Sequence, residues 1–204
     1  MYAKTDELTD LARVAAKFGG LYTTHIRGEW ANSVQAISEA IEIAEKAGLP
    51  GHILHFKSNG QANWGRMPEL VKLIQAARDR GVDITADQYP YVASSTMLAA
   101  YLIPTQYREG TQQELVARFS DPEQGPKVRQ AIEESLAMWD GGRSIRLASY
   151  PKKPEWQGKD LSTRYPGIDM VFEASGGDTI DDVLENQIPA LDPFDGDVLV
   201  TLTI

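Results

Sequence analysis

Through the first 91 residues, apolar positions alternate between helical spacing and short β-rich runs. Leu8, Leu11, Ala15 and Phe18 recur at helical spacing behind Thr5 or Asp6, and Gly19-Gly20 ends the pattern. Residues 21–26 are short and β-rich, which predicts a strand. Val34, Ile37, Ile41 and Ala44 then share one face of a second helix, opened by Asn32-Ser33 and closed by Gly48, with Pro50 beyond. Residues 51–57 predict the second strand. Pro68 stands at a first-turn position and opens a third helix through Leu70, Leu73, Ile74 and Ala77, which Gly81 closes before a third strand over 82–91. Equivalent points recur at about 30 residues, the length of one βα unit of a parallel sheet. The expected order is αβαβαβ in an α/β fold.

Beyond Ser94 the rhythm breaks. Residues 112–119 and 127–139 predict helices with Asp121-Pro122 as the turn between them. Residues 144–148 predict a short strand, 151–158 an ordered loop, 179–188 a last helix, and 198–204 alternate as a strand. The organisation expected is three units of about 30 residues within 1–105, a small mostly helical insertion over 106–188, and the start of a further strand over 189–204.

Composition narrows the function more than the fold. Hydrophobic residues make up 42% and charged residues 24%, a globular balance. No apolar run approaches the roughly 18 residues that span a bilayer, and no apolar signal core follows Met1, so no membrane association and a cytoplasmic location are expected. Twenty basic against 29 acidic residues give a net charge of −9, which argues against a surface that tracks nucleic-acid phosphates. The absence of cysteine removes disulfides, zinc ribbons and thiol nucleophiles together. A metal site must therefore use His, Asp or Glu, and the chain has three histidines.

Side chains alternate across a strand, so each predicted strand has a phase. Thr23 and His25 share a face in the first, Ile53, His55 and Lys57 in the second, and Thr85, Asp87 and Tyr89 in the third. His52 falls on the opposite face and reads as structural. The polar ends of these faces lie where parallel α/β proteins place their sites, beyond the carboxyl ends of the strands. A lone strand-end histidine is more often a packing residue than a ligand; two at matching positions on successive strands favour a ligand pair. Lys57 taken alone is a solvated lysine, and Asp87 an ion-pair partner. Trp64, Trp139 and Trp156 read as packing residues, and Asp181-Asp182 as an acidic first helical turn.

The segment Thr23-Thr24-His25-Ile26-Arg27-Gly28-Glu29 resembles the Thr-His-x-Arg-x-Glu motif of N-acyl-D-amino-acid deacylases, members of the metal-dependent amidohydrolase superfamily. Ile53-Leu54-His55-Phe56-Lys57 is similar to that family's Ser-His-x-Lys strand, with Leu54 where a small residue is usual. Asn63-Trp64-Gly65-Arg66 resembles its following loop, and Asp87-Gln88-Tyr89-Pro90-Tyr91 its Asp-x-Tyr-Pro-Tyr segment. The likeness covers about residues 18–105, is looser over 106–165, and fades after Tyr165.

The resemblance implies a partial TIM-like (β/α) barrel with a zinc site at its C-terminal mouth. It implies His25 and His55 as zinc ligands at the ends of the family's strands five and six. Lys57 and Tyr89 would bind the substrate carboxylate and polarise the scissile amide, Tyr89 as a catalytic group. Arg27 and Glu29 would order the site from behind. The substrate implied is a small N-acyl-D-amino acid, hydrolysed to a carboxylate and a D-amino acid. The family's early His-x-His motif, bridging cysteine and last-strand aspartate base have no counterpart here, so Asp87 is the one inward acid available as a further ligand. The chain reads as an internal piece of such an enzyme, inactive alone, or as a non-catalytic fragment that keeps the fold. Open sheet edges would favour self-association. A nucleotide-binding module is disfavoured, because no strand is followed by a glycine-rich phosphate loop.

Overall fold

The computed structural model describes residues 3–91, 93–149, 154–162 and 199–203. The chain divides into two compact units, Met1–Tyr91 and Val92–Thr203, so the boundary expected near 105 falls inside the second.

The first unit alternates α1 (Thr5–Ala16), β1 (Tyr22–Thr24), α2 (Ser33–Ala47), β2 (Gly51–Ile53), α3 (Met67–Asp79) and β3 (Ile84–Ala86). Its strands form a parallel sheet in the order β1-β2-β3, in register as Tyr22–Gly51–Ile84, Thr23–His52–Thr85 and Thr24–Ile53–Ala86. This is the architecture of part of a (β/α) barrel. The core lies between sheet and helices: Ile53 and Ile84 pack against Ile37, Ile41 and Ala44 of α2 and Leu70 and Ala77 of α3. Gly48 closes α2 in the left-handed region (φ 70°), its N–H reaching Ala44 O.

The apolar stripe of the first helix is only partly buried. Leu11 on α1 and Phe18 just beyond it are 63% and 84% exposed. The helix buries Thr9 and Ala12 against α2, with Leu8 and Ala15 of the stripe packed partly on the same cluster, because small side chains let two helices approach closely. The hydroxyl of Thr9 is satisfied by Thr5 O.

The shared strand phase is also corrected. The register puts His52 beside Thr23 and Thr85, whereas Ile53 faces the helices and is fully buried. The reason is that β2 ends at Ile53, and the turn Leu54-His55 interrupts the alternation with a positive φ of 40° at His55. The strands are shorter than the β-rich runs that announced them.

In the second unit, β4 (Ala93–Met97), β5 (Ile145–Ser149) and β6 (Leu199–Thr203) form an antiparallel sheet in the order β4-β6-β5. The helices α4 (Leu98–Leu102), α5 (Gln112–Ser120) and α6 (Gln124–Met138) complete it. Leu98, Leu102, Val128, Ile132, Leu136, Ile145, Leu147, Trp156 and Leu161 supply its buried side chains. Neither β4 nor α4 was expected. The strand foreseen at the end of the chain pairs on both sides, so it is not an edge. Trp139 and Trp156 are buried, whereas Trp64 in the first unit is 59% exposed and packs little. The expected helix over 179–188, with Asp181-Asp182, lies outside the described residues. No helix among the described residues is long and apolar enough to cross a membrane.

Candidate metal and substrate site

The chain emerges from β1 directly into His25 and from β2, one turn later, into His55. The 30-residue offset brings the two imidazoles together. Their ring centroids lie 4.6 Å apart, and His25 Nδ1 faces His55 Nε2 in hydrogen-bond contact. The other nitrogen of His55, Nδ1, stands 2.9 Å from Glu29 Oε1 and 2.8 Å from Lys57 Nζ. Glu29 and Lys57 thus hold the ring from its Nδ1 side, with Nε2 turned toward His25. Burial, followed by the adjacent Lys57 ammonium, lowers the His55 pKa below its ordinary value. The shift favours the neutral ring, the form that binds a metal.

Glu29 is itself held from three directions. Lys57 Nζ donates to its Oε1 at 2.7 Å, Asn59 Nδ2 to its Oε2 at 2.6 Å, and the Asn59 backbone N–H to its carbonyl at 2.6 Å. Sequence reasoning missed Asn59, which is 3% exposed in a stretch that reads only as a polar loop. Arg27 does not join this group; its Nε pairs with Glu39 of α2 at 2.9 Å and its Nη1 donates to Ala3 O.

Beyond β3, Tyr89 lies below Lys57, whose Nζ is 5.6 Å from the ring centroid. The Tyr89 hydroxyl is buried without a hydrogen-bond partner among the described residues. A buried hydroxyl in that condition is a donor still to be satisfied. Asp87, nominated as a further ligand, has both oxygens engaged. Oδ1 accepts the His55 backbone N–H at 2.6 Å, and Oδ2 is 3.0 Å from His52 Nε2. These contacts, the His55 N–H foremost, lower its pKa. His52 Nδ1 in turn meets Thr85 Oγ1 at 2.8 Å.

The His25–His55 pair suits zinc in kind, with two imidazoles converging on one point and a carboxylate behind one of them. In number it is short of a complete shell: among the described residues no group of three His, Asp or Glu side chains is placed to hold a metal ion.

Three parallel βα units with histidines beyond two successive strands are the arrangement of part of a (β/α) barrel, and solved amidohydrolases share it. No protein-family model matches the chain. Among solved structures, a D-aminoacylase described as defining a novel subset of amidohydrolases superposes with a TM-score of 0.58 at 27% identity, over 99% of this chain and 31% of its own. The N-acyl-D-glutamate deacylase of Bordetella bronchiseptica, complexed with zinc and a phosphonate inhibitor, shares the fold with a TM-score of 0.62 at 24% identity, over 98% of this chain and 31% of its own. Among curated proteins of Alcaligenes xylosoxydans xylosoxydans, the D-aminoacylase is 43% identical over 96 residues and the N-acyl-D-glutamate deacylase 41% over 96. Each match takes in 47% of this chain, which spans only 20% of the length of each of these two relatives. Over the matched 96 residues the chain is thus similar to a segment of N-acyl-D-amino-acid deacylases.

Proposed function

We propose that this chain forms part of a zinc-dependent amidohydrolase that cleaves the amide of small N-acyl-D-amino acids in the cytoplasm. In this reading His25 Nδ1 and His55 Nε2 hold the metal, Glu29 fixes His55, and Lys57 and Tyr89 bind the substrate. The observation that carries it is the convergence of the two ring nitrogens with Glu29 behind His55. A bound zinc ion supplies Lewis acidity and a water of lowered pKa.

The chain's own groups prepare the rest. The Lys57 ammonium supplies positive charge for a substrate carboxylate. Tyr89 offers its hydroxyl, unpartnered among the described residues, to the amide oxygen, where negative charge develops in the transition state. The relatives' names support the substrate class, and the zinc complex of the Bordetella bronchiseptica enzyme supports the metal.

A second reading is a non-catalytic fragment, favoured by the absence of a three-donor cluster among the described residues. Zinc calorimetry on the wild type, His25→Ala, His55→Ala and His52→Ala separates the two. Weak binding that disappears in the first two variants and is at most weakened in His52→Ala supports the metal site. Equal heats in all four proteins refute it. The 204-residue chain by itself is expected to release no D-amino acid.

A further inference from the structure

We infer that Asp87, secured by His52 and Thr85, is the positioning residue that holds His55 in its left-handed turn and thereby aims the imidazole at His25. This inference rests on the metal-site reading for its purpose but not for its geometry.

The turn after β2 is an excursion from a parallel ladder. Ile53 still pairs in register with Ala86, and its carbonyl accepts the N–H of Asp87 at 3.1 Å. Two residues, Leu54 and His55, then leave the ladder before the Phe56 N–H returns to donate to Asp87 O at 2.8 Å. Asp87 therefore brackets the excursion with its own backbone on both sides. A bulge of this kind re-aims a side chain and leaves N–H groups without ladder partners. The Leu54 N–H finds Thr24 O at 3.0 Å, and the His55 N–H finds the Asp87 carboxylate at 2.6 Å.

His55 sits at φ 40°, a region that a residue with a Cβ enters only when its surroundings hold it there. The carboxylate is what the surroundings provide. Its second oxygen is tied to His52 Nε2 at 3.0 Å, while His52 Nδ1 is tied to Thr85 Oγ1 at 2.8 Å. His52 and Thr85 are register partners on adjacent strands, so the regular sheet is the frame to which the irregular turn is fastened. The His52 imidazole faces the site's sheet surface without touching the His25–His55 pair through any of these bonds. Its part is to keep Asp87 from rotating away.

The test uses isotope-labelled 204-residue chain. The intraresidue amide–Hα Overhauser effect and Cα shift of His55, which mark positive φ, are measured in the wild type, Asp87→Asn and Asp87→Ala. Asp87→Asn keeps an oxygen for the His55 N–H, so the positive-φ signature is expected to persist. Asp87→Ala is expected to lose it, with zinc affinity falling about 10-fold or more, the range for partners that orient a metal ligand.

The signature surviving in Asp87→Ala overturns the inference. A wild type that takes up no zinc, with a signature that still follows residue 87, sinks the metal reading and leaves the positioning device standing. Should Asp87→Ala fail to fold, His52→Ala decides. Faster exchange of the His55 amide there supports the device, and unchanged exchange overturns it.

Discussion

Lys57 Nζ donates to Glu29 Oε1 across 2.7 Å while only 9% of the lysine side chain and 18% of the glutamate side chain are open to solvent. A pair this enclosed contributes little relative to apolar residues of the same shape, but losing one member strands the other charge. Glu29→Gln is expected to destabilise the first unit by about 3 kcal/mol. The Arg80–Glu45 pair, at 3.4 Å with both side chains about half exposed, gives the contrast. Glu45→Gln there is expected to change stability by less than about 0.5 kcal/mol. Urea unfolding of both variants checks the difference, and equal losses would contradict it.

The order αβαβαβ was legible because each helix of the first unit announces itself by apolar spacing and a glycine stop, and each strand by a short β-rich run. The pairing of His25 with His55 was legible because the unit length repeats. The side-chain phase was not. It assumed an unbroken strand through 51–57, and nothing in Leu54-His55 signals a left-handed residue, which glycine or asparagine ordinarily marks. The alternation that put Ile53 beside His55 on one face therefore failed at a single turn. Glu29, expected to order the site from behind, contacts Lys57, His55 and Asn59. Asn59 itself could not be read, because a buried asparagine and a solvated one look alike in a polar loop. On α1 the apolar stripe divides, with Leu8 and Ala15 packed on the core beside Ala12 and Leu11 exposed.

That correction of faces has a measurable consequence. Ile53 is fully buried among α2 and α3, whereas Phe18 is 84% exposed. Ile53→Ala is expected to cost about 2–5 kcal/mol through lost transfer energy and a cavity. Phe18→Ser is expected to stay within about 0.5 kcal/mol. Thermal unfolding that ranks the two in the opposite order would return Ile53 to the site face.

Gly51 is required for closeness rather than for flexibility. A Cβ built there would lie 2.6 Å from Ile84 Cδ1 and 2.9 Å from Ala44 Cβ, inside contact distance of both the neighbouring strand and α2. Gly51→Ala should therefore overpack the core, at a cost of about 1–3 kcal/mol. Shortening the obstructing side chain with Ile84→Val in the same chain should recover part of that loss. A double variant no more stable than Gly51→Ala would mean that the Ile84 methyl is not what the added carbon meets.

The acid limb of stability should report on the start of α5. Thr111 caps this helix: its hydroxyl accepts the Glu114 N–H at 3.3 Å, while Glu114 Oε2 accepts the Thr111 N–H at 2.7 Å and its hydroxyl at 3.0 Å. These bonds, the backbone N–H first, lower the Glu114 pKa from its ordinary 4.5. A carboxylate with a folded pKa below its unfolded value binds fewer protons when folded. Its stabilising contribution is thus fully present above the unfolded pKa and disappears as pH falls through the folded one. Glutamine keeps the acceptor oxygen of the capping box but cannot titrate. Glu114→Gln should therefore be less stable than the wild type at neutral pH, and the gap should close as the solution is acidified below about pH 4.5. Thermal unfolding of the two proteins between about pH 7 and pH 3 measures this. A gap that stays constant across that window would show that the Glu114 charge does not stabilise the cap.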